Sequence, residues 1–115
     1  MRVSVVNPPF MDGRFSRTSR SPAIVKSGTM YWPFWLAYLV GGLERAGHDV
    51  QFLDCPARGI PAVELPGLLK GFDPSMVVVD TSTPSIVSDL GIAGMIAADL
   101  PGARVFLVGT HVSAL

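Results

Sequence analysis

The chain has 115 residues, a formal net charge of +0, 49% hydrophobic and 16% charged residues, and one cysteine. That length supports one domain with a modest core, and balanced charge gives no electrostatic reason to expect nucleic acid or an anionic membrane as the main partner. The lone Cys55 excludes an internal disulfide, a cysteine-rich metal site and an iron–sulfur cluster held by this chain's own thiolates.

The β-branched run Arg2–Val6 reads as a first strand, stopped by Asn7-Pro8-Pro9 because consecutive prolines offer no ladder donor and resist helix. No secretory signal precedes it, which points to the cytoplasm. Residues 10–29 form a long loop rich in Ser, Arg and Gly, of a length that is often functional. Its basic residues Arg14, Arg17, Arg20 and Lys26 are spread out, as on a solvated loop rather than a phosphate site. Pro33 suits a first helical position. Trp35, Leu36, Leu39, Val40, Leu43 and Ala46 then recur at helical spacing, and Gly47 suits the residue after the helix end. Tyr31, Trp32, Phe34 and Trp35 are expected to pack in the core or a domain interface, with a cofactor stack as the sharper reading. The apolar stretch around residues 31–43 is interrupted by Pro33, Gly41 and Gly42 and is too short for a membrane span. His48 reads as a polar residue at a helix end.

Residues 49–54 alternate as a second strand, and Cys55 follows as a strand-end core thiol. Residues 64–72 form a short helix broken by prolines and glycine. Met76–Asp80 is a third strand, apolar on both faces, which runs into the hydroxyl-rich Thr81-Ser82-Thr83 and a new helix at Pro84-Ser85. Ile86, Leu90, Ala93, Ala97 and Leu100 are expected to form that helix's buried face, before Pro101-Gly102 stops it. Arg104–Val108 is a fourth strand, ending at Gly109-Thr110-His111.

Strands alternating with helices predict an α/β fold with a doubly wound parallel sheet. A fifth strand is expected in such a domain, so residues 1–115 read as the N-terminal piece of a longer protein, truncated after the fourth strand. In open α/β sheets ligands bind outside the strand carboxyl ends. That draws attention to Thr81, Ser82 and Thr83, whose small hydroxyls can meet a ligand without blocking it, and to His111 beside Gly109. A dinucleotide fingerprint and a P-loop both fail, because Asn7-Pro8-Pro9 replaces the glycine-rich turn and no Gly-Lys-Ser/Thr occurs. No acid pair closes the first strand as in a receiver domain. No catalytic residue and no metal-ligand set is assigned: His111 has no second ligand nearby in sequence.

Asn7-Pro8-Pro9, the Ser/Arg loop, Tyr31-Trp32-Pro33-x-Trp35-Leu36-Ala37-Tyr38 and Leu43-Glu44-x-Ala46-Gly47-His48-x-Val50 occur in an order that resembles one family. Asp80-Thr81-Ser82-Thr83-Pro84-Ser85 and Val108-Gly109-x-His111 fit the same pattern. That family is the N-terminal cobalamin-binding domain of cobalamin-dependent radical S-adenosylmethionine enzymes, and the resemblance covers residues 2–113. It implies a flavodoxin-like (Rossmann-like) fold with cobalamin across the strand carboxyl ends. Thr81, Ser82 and Thr83 would line the pocket for the nucleotide tail. Gly109 would let backbone approach the cofactor, His111 would sit in the same rim, and Asn7 and Pro8 would shape the neighbouring loop. The Asp-x-His-x-x-Gly motif that supplies a cobalt-ligating histidine elsewhere is absent, which suits the radical family. So is the Cys-x-x-x-Cys-x-x-Cys motif. The 4Fe-4S cluster and S-adenosylmethionine would therefore belong to a C-terminal radical domain, the implied partner, and this chain alone would catalyse nothing. The whole enzyme is expected to methylate an unactivated carbon. The alternative is a non-catalytic flavodoxin-like ligand-binding or interaction module.

Overall fold

A computed structural model describes residues 1–10, 15–16, 23–24 and 33–113. Its elements are β1 (Arg2–Asn7), the short strands β2 (Phe15–Ser16) and β3 (Ala23–Ile24), α1 (Phe34–Arg45), β4 (Asp49–Asp54), α2 (Cys55–Arg58) and α3 (Leu65–Phe72). There follow β5 (Met76–Asp80), a 3-10 turn (Thr83–Ser85), α4 (Ile86–Asp99), β6 (Arg104–Val108) and the single turn α5 (Thr110–Ser113). β2 and β3 pair antiparallel as a separate two-stranded ribbon.

The four long strands form one sheet in the order β4-β1-β5-β6, with every pairing parallel. Counted among themselves they run second-first-third-fourth, the flavodoxin-like order, whose direction of winding reverses between the first and third strands. That switch point lies between β1 and β5. The register sets Val5 of β1 beside Val78 of β5 and Phe52 of β4, so one pleat period runs across the sheet.

Both faces are covered, as the apolar runs of β1 and β5 require. On one face Val3, Val5 and Val78 pack with Leu36 of α1, flanked by Leu39, Val40 and Leu43. On the other, Val6, Val77 and Val79 pack with Leu65 and Leu69 of α3 and with Ile92, Ile96 and Leu100 at α4. Cys55 is fully buried in this second cluster, as a strand-end core thiol would be. The two layers make the sheet doubly wound, as the alternation of strands and helices predicts.

Local signals explain the ends of α1. Pro33 is the residue just before the helix rather than its first turn. At the other end the His48 amide donates to the Leu43 carbonyl and the Gly47 amide to the Glu44 carbonyl. That pair of bonds is a Schellman motif, and Gly47 has the positive φ of 91° that it needs. His48 thus closes the helix with its backbone, while its Nδ1 lies 3.2 Å from the Met1 amino group.

Two expected helix faces are corrected. In α1, Trp35 is 72% exposed and Ala46 lies past the helix end, so the core-facing stripe is the buried Leu36 with the half-buried Leu39, Val40 and Leu43. Phe34 is also exposed; Tyr31 and Trp32, like Arg14, Arg17, Arg20 and Lys26, fall outside the described residues. In α4, Leu90 and Ala97 face solvent, and the buried face is Asp89, Ile92, Ala93 and Ile96. The apolar and small residues of α4 go nearly all round, so the periodicity was ambiguous in phase, and a carboxylate took a core position that pattern reading reserves for apolar groups.

Candidate functional site

The carboxyl ends of β5 and β6 are built as one unit. The Thr81 amide and the Thr81 hydroxyl both donate to the Val108 carbonyl, at 2.8 and 2.7 Å, and tie the residue after β5 to the last residue of β6. Gly109 follows with φ +131°, a conformation that L side chains rarely adopt. A Cβ there would also collide with the Thr81 carbonyl and would come within 2.7 Å of the Thr81 hydroxyl oxygen. Gly109 is therefore needed for the approach of the two strand ends to each other, a role inside the protein that stands beside any approach to a cofactor.

The loop then continues with Ser82 extended (φ −142°, ψ 157°) before the 3-10 turn. Its shape is held from α4. Asp89 is fully buried, and its Oδ2 accepts from the Ser82 amide at 3.2 Å and from the Ser85 hydroxyl at 2.6 Å. The two serine hydroxyl oxygens lie 2.5 Å apart. A buried carboxylate is costly unless hydrogen bonds satisfy it, and these bonds help to do so. Asp89 also stands in the first turn of α4, where the helix dipole favours negative charge.

His111 and Thr83 meet at the rim: Nδ1 of one lies 3.3 Å from Oγ1 of the other. Thr83 is exposed and His111 half-buried, whereas Thr81 and Ser82 are 4% and 5% exposed. Thr81, Ser82, Thr83, Gly109 and His111 are thus brought together at one mouth. Asn7 and Pro8 are buried at the end of β1, on the far side of the switch point, where the Asn7 amide group donates to Asp54 at the end of β4. Beyond them an open cavity of about 410 Å³ is lined by Pro9, Phe10, Cys55, Pro56, Ile60 and Pro61, with Arg58 among its walls.

Reading the sequence by motif missed Ser85 and Asp89 as parts of this site. The available signal was their spacing: a serine just before a helix, then an acid one turn into it, both following a loop that must be held open. Among the described residues no group of three or more His, Cys, Asp or Glu could hold a metal ion, and no helix is long and apolar enough to cross a membrane.

The mouth fits cobalamin in kind. Cobalamin is large and mostly polar without being strongly charged, and buried hydroxyls and a half-buried imidazole at the carboxyl ends of β6 and of β5, the strand that borders the switch point, are groups that can meet its amides and tail. No curated protein and no solved structure matches the chain. The family model for the B12 binding domain matches residues 20–115. That span takes in β4, β5 and β6 and both loops of the mouth, and the chain belongs to the B12 binding domain family and binds cobalamin.

Proposed function

We propose that this chain is the cobalamin-binding domain of a radical S-adenosylmethionine enzyme that methylates an unactivated carbon. The observation that carries the cobalamin part is the hydroxyl-lined mouth at the ends of β5 and β6, inside the region matched by the B12 binding domain. Bound cobalamin would supply the methyl group. This chain's own residues position the cofactor: Thr81, Ser82 and Thr83 line the pocket for the tail, Gly109 keeps the floor close, His111 stands in the rim, and Asn7 and Pro8 shape the facing loop. The radical assignment is supported by the ordered resemblance across residues 2–113 and by the absence of Asp-x-His-x-x-Gly. A 4Fe-4S cluster, S-adenosylmethionine and the substrate contacts belong in this reading to a separate radical domain. A non-catalytic binding module of the same fold is the alternative.

Two experiments test it. The chain is mixed with hydroxocobalamin, desalted and scanned in the visible range. Retained cobalamin colour is expected, and Ser82→Leu is expected to weaken retention; unchanged retention in that variant removes the loop from the site. For the enzyme context, the reading frame after Leu115 is sequenced. A Cys-x-x-x-Cys-x-x-Cys motif within about one further domain's length supports the radical enzyme, and a stop codon supports the binding module.

A further inference from the structure

The hydroxyls of the mouth have a direction, and Asp89 sets it. Oδ2 of Asp89 already accepts from the Ser82 amide and from the Ser85 hydroxyl. With two donors on it, that oxygen has no place for a proton of its own. The single Ser85 proton is spent on Asp89. The hydrogen bond between the two serine oxygens, 2.5 Å apart, must then use the Ser82 proton. Thr81 behaves alike, since its hydroxyl proton goes to the Val108 carbonyl at 2.7 Å. Both buried hydroxyls of the loop have therefore donated inward. What each has left for a ligand is lone pairs.

We propose that Asp89 is a positioning residue that fixes the Thr81–Ser82 loop as an acceptor-only surface, selecting ligand groups that carry N–H donors. On cobalamin those are the carboxamide side chains of the corrin, so in this scheme the loop that lines the tail pocket also meets the corrin edge beside the tail. Asp89 touches no ligand in this scheme and acts through Ser85 and Ser82. A mouth of freely rotating hydroxyls would accept donors and acceptors alike; this one is polarised in advance and pays no reorganisation when a donor arrives. The inference rests on the reading that the Thr81–Thr83 loop meets cobalamin.

The test compares hydroxocobalamin with its separated monocarboxylate derivatives, in each of which one amide is hydrolysed and an N–H donor becomes an acceptor-only carboxylate. Affinities are measured by visible titration of the chain. The unaltered chain is expected to bind at least one monocarboxylate about tenfold more weakly than the parent, because a lost donor leaves a desolvated acceptor facing another acceptor. Ser85→Ala frees the Ser82 proton, so the preference should shrink by at least about threefold even if overall affinity also drops. Asp89→Asn keeps an amide oxygen that can accept both inward donors and should retain the preference, whereas Asp89→Leu should lose it. An unaltered chain that binds every monocarboxylate as well as the parent overturns the proposal without any variant. So does a preference that Ser85→Ala leaves unchanged. Failure of the site reading looks different: no hydroxocobalamin is retained at all, or Ser82→Leu has no effect on it.

Discussion

The helices α1 and α4 cover opposite faces of one sheet, and they do so by different means. α1 packs a plain apolar stripe, Leu36, Leu39, Val40 and Leu43, on the sheet; the polar pair on that face, Asn7 and Asp54, ties the ends of β1 and β4 to each other and not to the helix. α4 buries Ile92, Ala93 and Ile96 and adds a carboxylate, Asp89, that bonds back to the loop before its own start. One helix only closes the core. The other closes the core and also fixes the shape of the mouth. A helix can give up a core position to a polar group when that group satisfies backbone and hydroxyl donors that would otherwise be buried unpaired.

The largest effect should come from testing which side of α4 faces inward. Ile96→Ala removes a fully buried side chain from the α3–α4 cluster and should cost about 2–5 kcal/mol. Leu90→Ala, at a position 48% exposed, should stay below about 1 kcal/mol. Urea unfolding followed by circular dichroism measures both. The reverse ranking would restore the stripe that the sequence suggested and dissolve the contrast between the two helices.

Gly109→Ala comes next. It combines a φ of +131° with a Cβ that meets the Thr81 carbonyl and hydroxyl. Strain of this kind costs about 1–3 kcal/mol, and relieving it must separate the ends of β5 and β6. Loss of stability together with loss of hydroxocobalamin retention is expected. A variant that unfolds at the same urea concentration as the parent would show that the two strand ends need not approach so closely.

The extent to which the sequence could be read follows the same division. The strands 49–54, 76–80 and 104–108 were legible to the residue, because alternation in the first and apolar, Val-containing runs in the other two are bounded by Pro, Gly and Asp. β1 extends by one residue to Asn7, whose side chain bonds Asp54 across the strand pair. α1 was legible nearly in extent and in phase, with Trp35 and Ala46 as the errors. α4 was legible in extent and only partly in phase: Ala93 and Leu100 are buried as expected, whereas Leu90 and Ala97 are not. Val87, Leu90, Gly91, Gly94 and Ala97 are all exposed and none is charged, so its outer face does not advertise itself as an outer face. The only charge in its first three turns is Asp89, which local pattern assigns to solvent and tertiary bonding places in the core. Thr81, Ser82 and Thr83 were singled out as candidates because they follow a buried strand. Ser85 and Asp89 were not, because their role exists only through contacts four and seven residues back along the chain. The one-turn helix α2 gave no periodic signal at all.

The outer face of the first three turns of α4, which carries no charge, allows a gain as well as losses. Gly94 is exposed, in the helix interior, and nothing lies within 4 Å of where its Cβ would stand. Gly94→Ala should raise stability by about 0.5–1 kcal/mol, by lowering the entropy that the unfolded chain loses. Its midpoint in urea should rise while hydroxocobalamin retention stays as it was. A fall in stability would mean that this face of α4 is more closely packed than its exposure indicates.

The smallest effect belongs to the outer face of α1. Trp35 stacks obliquely between two neighbours: its ring centroid lies 5.2 Å from that of Phe34 and 6.2 Å from that of Tyr38, at interplanar angles of 48° and 46°. Such pairs contribute about 0.5–1.5 kcal/mol when well packed. Here all three rings are exposed, Trp35 by 72% and Tyr38 by 69%, so most of that area stays in water on folding. Replacement by alanine also gains helix propensity, worth up to about 0.7 kcal/mol at an ordinary position. The two terms oppose each other and are of similar size. Trp35→Ala should therefore shift stability by less than about 0.5 kcal/mol, far less than Ile96→Ala on the other helix. A loss of 2 kcal/mol or more would place Trp35 back in a buried cluster, and the contrast between a plainly packed α1 and a doubly employed α4 would have to be redrawn around the start of α1.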